Sequence, residues 1–248
     1  MNNKDYVETS VCRDIFDAIA YSRAMRRAAA VIGPPGIGKT VALLRYAERD
    51  QSAIYVRVST PQSSGKAAFR LFADTFGVGQ NGRETADGLW RAVEDYCESA
   101  VDWKTGEHLL IDEAQALDLN VLKELVDLPS RVGFPVVLCG NAELLKRTRV
   151  GRGDYEQIAS RCAKRLVLTA PLDEDLAAIA ANFDVYGADS RAAAVNYGQN
   201  TSIRELFQLL VEARDFVGRG PIKLDALRRI AVSTKGGAHA LKLLCPAA

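Results

Sequence analysis

The chain has 248 residues, 48% of them hydrophobic and 25% charged, enough for one large domain or two modest ones with an ample core. Its formal net charge is only +1, so bulk electrostatics would not drive nucleic-acid binding, and any such contact must come from a local patch. No uninterrupted apolar stretch is long enough to span a bilayer, and Met1-Asn2-Asn3-Lys4-Asp5 does not read as a signal peptide.

Residues 7–27 read as an entry helix, with Thr9 or Ser10 as cap and Ile15, Ala18 and Ile19 on one face. The apolar run Ala28–Ile32 is a strand, the Gly-rich segment 33–40 follows, and Val41 to Ala47 continues as a helix. Ala53 to Val58 is rich in β-branched residues and ends at Ser59-Thr60-Pro61, which predicts the second strand. Helical spacing runs from Ala67 to Phe76 and stops at Gly77; another helix spans about 85–101 and carries Leu89, Val93 and Tyr96. Strands at 108–112, 135–139 and 165–169 are separated by helical stretches. This alternation predicts a parallel sheet with right-handed crossovers. Beyond Pro171 the segments 173–183, 190–197, 203–217 and 224–232 are all helical, with no strand between them. The expected organisation is an entry segment (1–28), an α/β domain (29–172), a helical domain (173–232) and a tail (233–248) in which Lys235-Gly236-Gly237 is loose. Trp90 and Trp103 are read as core or interface packing.

Residues 33–40, Gly-Pro-Pro-Gly-Ile-Gly-Lys-Thr, are a complete P-loop in the strand–loop–helix setting that the motif requires. Gly33, Gly36 and Gly38 permit backbone conformations that turn successive N–H groups toward a polyphosphate, alongside Pro34, Pro35 and Ile37. The loop feeds a helix N-terminus at Lys39-Thr40-Val41, whose unpaired amides favour an anion. Lys39 is expected to reach the β- and γ-phosphates of ATP, and the Thr40 hydroxyl to hold Mg²⁺. The strand His108 to Ile111 ends in Asp112-Glu113, a Walker B pattern: Asp112 for the Mg²⁺ shell, Glu113 to polarise the attacking water. A third apolar strand ends in Gly140-Asn141, where Asn141 reads alone as either a turn residue or a polar amide, and beside the other two motifs as a group that helps place the lytic water near the γ-phosphate. Gln115 gives no independent clue. Cys12, Cys97, Cys139, Cys162 and Cys245 are scattered, no Cys-x-x-Cys pair occurs, and the histidines are His108 and His239. Buried reduced thiols are therefore expected, rather than a zinc site or a disulfide framework.

Together these elements resemble the AAA+ ATPases, an α/β fold in which a parallel sheet flanked by helices is followed by a small all-helical lid. The resemblance implies two further residues. Asn200 to Leu206 is similar to the sensor 2 region, making Arg204 the lid residue that reads the nucleotide. Arg161, just before the last strand, is the candidate arginine finger reaching a neighbouring subunit, with Lys164 and Arg165 as alternatives. The entry segment Tyr6 to Thr9 and the stretch Ala159 to Arg165, with the P-loop, Leu-Ile-Asp-Glu-Ala and Val-Leu-Cys-Gly-Asn, narrow the likeness to the MuB family, the transposition ATPases of phage Mu and its relatives. It covers the chain from about residue 6 to the lid. Membership implies ATP-dependent self-association into helical filaments on double-stranded DNA, choice of insertion target and activation of a partner DDE transposase, which in turn stimulates hydrolysis and so produces target immunity. It also implies a DNA-associated location in the bacterial cytoplasm, with no membrane partner. The family's N-terminal helix-turn-helix domain has no counterpart in the sequence given, and roles assigned to it are not carried over.

Two segments are candidates for phosphate contacts on DNA. One contains Ser63, Lys66 and Arg70; the other contains Lys146, Arg147, Arg149 and Arg152. From Asn141 to Arg165 there are seven Lys or Arg against three acids, a local excess of four. No residue set resembles direct base readout, so little sequence specificity is expected. A helicase loader or replication initiator of the same ATPase class is the nearest alternative. A nucleotide-gated signalling or secretion ATPase without a DNA role is a second. A metabolic P-loop kinase, which has no need for a subunit-crossing arginine or for Glu113, is a poorer match.

Overall fold

In the computed structural model, residues 6–79, 84–145, 158–233 and 237–244 are described. The chain divides into a sheet unit (Asp14–Gly33 and Lys39–Leu168) and a helical unit made of the residues up to Arg13, Pro34–Gly38 and everything from Thr169 on.

Among the described residues the sheet unit holds five parallel strands: β1 (Ala28–Ile32), β2 (Ala53–Arg57), β3 (His108–Asp112), β4 (Val136–Gly140) and β5 (Cys162–Val167), in the order β2-β3-β4-β1-β5. All residues of the three inner strands β1, β3 and β4 are buried, as continuous apolar runs covered on both faces require. The register is level at the carboxyl ends: Ile32 pairs with Gly140, and Ile111 with Leu138. β5 begins at Cys162, three residues before the sequence-based expectation. Its exposure alternates, because successive side chains point to opposite faces of the sheet, so the apolar-run criterion that finds inner strands misses its start at Cys162–Lys164.

Around the sheet lie helices α1 (Ser10–Met25, in this unit from Asp14), α2 (Lys39–Arg49), α3 (Gly65–Thr75), α4 (Ala86–Asp102) and α5 (Leu119–Val132). Ile15, Ala18 and Ile19 form the buried face of α1, as their spacing predicts. The Thr85 hydroxyl caps α4 by accepting the Gly88 N–H at 3.1 Å. Pro129 lies within α5, which closes on Gly133 in the left-handed region (φ 76°). Phe72, Phe76, Leu89, Trp90, Leu109, Leu125 and Phe134 lie in the core. Trp103, at the end of α4, is 79% exposed and belongs to no core. Cys12, Cys97, Cys139 and Cys162 are buried free thiols.

The helical unit contains α6 (Asp173–Asn182), α7 (Ala188–Asn200), α8 (Ile203–Val217), α9 (Leu224–Ser233) and α10 (Gly237–Leu243) around Leu176, Phe183, Leu206, Leu210 and Leu227. Gly237, expected in a loose tail, opens the helix α10. The buried carboxylate of Asp175 accepts both the backbone N–H (2.7 Å) and the hydroxyl of Ser10, which satisfies its charge at the start of α1.

His108 opens β3 with its ring fully buried and edge-on to Tyr46 at 5.7 Å. Its Nδ1 lies 3.2 Å from the Gly106 carbonyl oxygen and so carries the proton of the neutral ring; Nε2 has no partner. Burial holds the imidazole below its ordinary value, because a second N–H would have nothing to bond. The unfolded chain takes up a proton near pH 6.5 that the native state resists, so stability is full above that pH and falls as the pH drops through it. Urea midpoints at pH 8.0 and 5.5 should therefore differ less in His108→Phe than in the parent chain; equal differences would assign the acid lability elsewhere.

Candidate nucleotide-binding site

Each of the inner strands β1, β3 and β4 delivers one polar segment at its carboxyl end. β1 leads into Gly33, whose N–H donates to the Gly140 carbonyl (3.1 Å) and whose missing Cβ makes room for Leu168, which would otherwise lie 2.9 Å away. Lys39 begins α2 and donates from Nζ to the Gly33 carbonyl (2.8 Å), so the ammonium is folded back toward the root of the loop.

The Thr40 hydroxyl donates to Asp112 Oδ2 at 2.7 Å, and Tyr55 OH donates to the same oxygen at 3.1 Å. Oδ1 of Asp112 accepts the Glu113 N–H at 3.0 Å. Asp112 is only 1% exposed, and these three donors are what allow a carboxylate to remain there. Burial, followed by the adjacent Asp112 charge, pushes the Tyr55 phenol well above its ordinary value, so it stays a donor. Hydroxyl and carboxylate oxygens 2.7 Å apart fit a Mg²⁺ ion, which takes hard oxygen ligands, one or two of them carboxylates, and keeps several waters.

Glu113 sits in the left-handed region (φ 57°, ψ 34°), turning the chain out of β3 into a 3-10 turn over Ala114–Ala116. Its carboxylate accepts a hydrogen bond from Gln115 Nε2 and lies 3.9 Å from the Arg57 guanidinium. Gln115 Oε1 accepts the Asn141 N–H at 3.1 Å, and the Asn141 side chain accepts the Glu143 N–H at 2.8 Å. Thr40 thus meets Asp112, and Glu113 is linked to Asn141 through Gln115. Tyr55, Arg57 and Gln115 escape sequence reasoning. The signal for Arg57 lay in pairing, since it is level with Asp112 once β2 is placed beside β3. Gln115 has no such signal, because it meets Asn141 twenty-six positions away.

Within the helical unit, Gly36 (φ +81°) accepts the Arg204 N–H at 3.0 Å, and Ile37 is buried. Gly38 also has positive φ (+106°), while Pro34 and Pro35 are exposed and Val41 is half-buried. The Ser202 hydroxyl caps α8 by accepting the Glu205 N–H at 3.1 Å, which fixes Arg204 in its first turn. Arg161 forms an ion pair with Asp127 of α5. Ser63 donates to the Thr60 carbonyl (2.8 Å), and Lys66 is exposed. Arg70 pairs with Glu84 (2.6 Å) and Asp74 (3.8 Å), so its charge is compensated internally. Lys146, Arg147, Arg149 and Arg152 lie outside the described residues.

An AAA domain family model matches residues 23–148, just over half of the chain. The chain belongs to the AAA domain family. The ATP-dependent target DNA activator B of Escherichia phage Mu is 29% identical over 185 residues, covering 73% of this chain and 57% of that protein. The Mu-like prophage FluMu DNA transposition protein B of Haemophilus influenzae is 26% identical over 178 residues, covering 71% and 60%. The likeness to the MuB family read from the motifs is thereby borne out, and the chain spans less than two thirds of the length of these relatives. Among solved structures, the Aeropyrum pernix ORC2 protein matches with a TM-score of 0.63 at 16% identity, covering 93% of this chain and 69% of that one. The Thermotoga maritima RuvB Holliday junction branch migration motor matches with a TM-score of 0.53 at 16% identity, covering 89% and 67%. These two likenesses establish the fold.

A Cβ on Gly36 would lie 2.7 Å from Ser202 Oγ and 2.9 Å from Ser202 Cβ, in a backbone region that alanine disfavours. Strain of about 1–3 kcal/mol corresponds to roughly 5–150-fold, so Gly36→Ala should lower affinity for a fluorescent ATP analogue within that range. Unchanged affinity would show that the loop and the start of α8 adapt freely.

Proposed function

We propose that the chain is an ATP-dependent, sequence-nonspecific double-stranded DNA-binding ATPase that assembles into filaments, selects target DNA and activates a partner DDE transposase. The observation that carries the ATPase part is the convergence of Thr40, Asp112, Glu113 and Asn141 at the carboxyl ends of β1, β3 and β4. The transposition part rests on the two B proteins that match nearly three quarters of the chain. In this reading the α/β domain spans 29–172 and the lid spans 173–232.

The Gly33–Val41 segment cradles the polyphosphate with backbone amides, and Lys39 leaves the Gly33 carbonyl to meet the β- and γ-phosphates. Thr40 and Asp112 hold Mg²⁺, which when bound neutralises charge developing on the phosphates. Glu113 polarises a water for attack on the γ-phosphorus: the new P–O bond forms as the bond to the β-phosphate oxygen breaks, and the water proton is drawn toward Glu113. Asn141 positions the γ-phosphate and that water, and Arg204 reads the nucleotide from the lid. The basic residues at 146–152, together with Ser63 and Lys66, contact DNA phosphates. Each contact is weak, and stacking many copies along a duplex multiplies them. Among the described residues no helix is long and apolar enough to cross a membrane.

Lys39→Ala should lose ATP binding and with it filament formation. Glu113→Gln should bind ATP, hydrolyse it roughly 100-fold more slowly or worse, and give longer-lived filaments. Negative-stain imaging with duplex DNA and a slowly hydrolysed ATP analogue tests the assembly directly. Rings or monomers indifferent to DNA would retain the ATPase and remove the filament. Arg161 must leave Asp127 to serve as a finger for a neighbouring subunit. Arg161→Ala should then reduce turnover in assemblies while Asp127→Ala leaves turnover intact; equal losses of melting temperature with unchanged turnover in both would make the pair a brace for α5.

A further inference from the structure

Glu113 depends on its surroundings for its direction. A non-glycine residue in the left-handed region is strained, and it persists only where neighbouring contacts over-determine it. Here the backbone N–H is held by Asp112 Oδ1, one carboxylate oxygen is held by Gln115 Nε2, and the other faces Arg57 at 3.9 Å. The Gln115 bond is the only direct side-chain hydrogen bond described for the Glu113 carboxylate.

Gln115 does more than brace one neighbour. Its amide has a donor end and an acceptor end, and both are used: Nε2 donates to Glu113 while Oε1 accepts the Asn141 N–H at 3.1 Å. The reverse orientation of the amide would set oxygen against carboxylate and N–H against N–H, so both partners select the same one. The last residue of β4 makes room for this bridge. A Cβ on Gly140 would lie 2.4 Å from Gln115 Oε1, closer than any real contact, so glycine at that position is the steric condition for the amide to reach Asn141.

We propose that Gln115 is a positioning residue that ties the orientation of the Glu113 carboxylate to the position of the β4 end, forming a relay Asn141–Gln115–Glu113. The inference rests on the reading of Glu113 as the water-polarising group. Gln115 itself touches no substrate. A displacement of Asn141 by a terminal phosphate is passed through a single planar amide to the carboxylate, so the water is polarised only when that phosphate is present. Neither shortening the side chain nor replacing the amide by a carboxylate preserves this link, because each loses either reach or the donor.

The test is steady-state ATP hydrolysis by the full chain and by Q115A, Q115N, Q115E, E113Q and the E113Q/Q115A double variant, with nucleotide affinity measured in parallel using a fluorescent ATP analogue. Q115A should lower kcat by about 10–100-fold, a part of what a positioned general base contributes, while leaving affinity within about twofold. Q115N, which retains the amide but is one methylene short, should show the same loss without an emptied site, so a folding defect in Q115A would not hide the effect. In the E113Q background Q115A should cost nothing further, because both variants remove one linked function. Q115E sets a second carboxylate against Glu113 and lacks the N–H donor, so it should lose turnover at least as severely as Q115A. Q115A turnover within about twofold of the parent, or losses that multiply with those of E113Q, would overturn the relay while leaving the ATPase reading intact. Turnover by E113Q at the parental rate would instead remove the role of Glu113, and the relay with it.

Discussion

The pairing of β1 with β4 is the constraint on which the candidate site depends. By lying between β1 and β3, β4 sets the distance between Gly33 at the end of β1 and the Walker B acids, and the register brings Ile32 level with Gly140 and Ile111 level with Leu138. Three short apolar strands are therefore cut off at the same height, and whatever follows each of them is forced into one neighbourhood. The Gly33 N–H bonded to the Gly140 carbonyl extends that ladder one step past the last β1 residue, which anchors the P-loop root to the strand that carries Asn141. In open α/β sheets the crevice outside the carboxyl ends of the strands is where ligands bind.

Several polar side chains at that edge are bonded to one another or to nearby backbone. Asp112 is nearly inaccessible and satisfied on both oxygens by Thr40, Tyr55 and Glu113. A ligand entering there must exchange these bonds, not merely add to them. Thr40 and Lys39 each hold a bond to the protein (Asp112 and the Gly33 carbonyl) that the proposed metal and phosphates would replace. Exchange of this kind costs little net energy, because each group passes from one partner to another without remaining bare.

The parts legible in the sequence are those whose physics is local. The P-loop, the Asp112-Glu113 pair, the inner strands and the buried face of α1 follow from runs and spacings a few residues long. Elements defined by a distant partner were not legible. β5 began earlier than expected, since an edge strand carries Lys164 and Arg165 in its pairing register with Ala29 and Ala30. The Gly236-Gly237 punctuation concealed α10, whose Ala240 enters the helical core together with Leu244 just past its end. The Arg161–Asp127 and Arg70–Glu84 pairs take up charges that look available in one dimension. Trp103, grouped with Trp90 by residue type alone, is exposed because α4 has already ended there.

The charged start of β5 has a consequence for colloidal behaviour. Among the described residues of the sheet unit β5 pairs on one side only, and its alternating exposed positions include Arg165 and Val167 while Lys164 lies 5.5 Å over the ring of Tyr21. An unprotected parallel edge would invite strand-to-strand templating between copies, a competing and poorly reversible route to aggregates. Two adjacent cations set on a short strand make that encounter repulsive and keep it brief. A chain whose proposed work brings many copies close together at high local concentration thus carries, on the strand hardest to recognise, a device that keeps crowding from becoming precipitation.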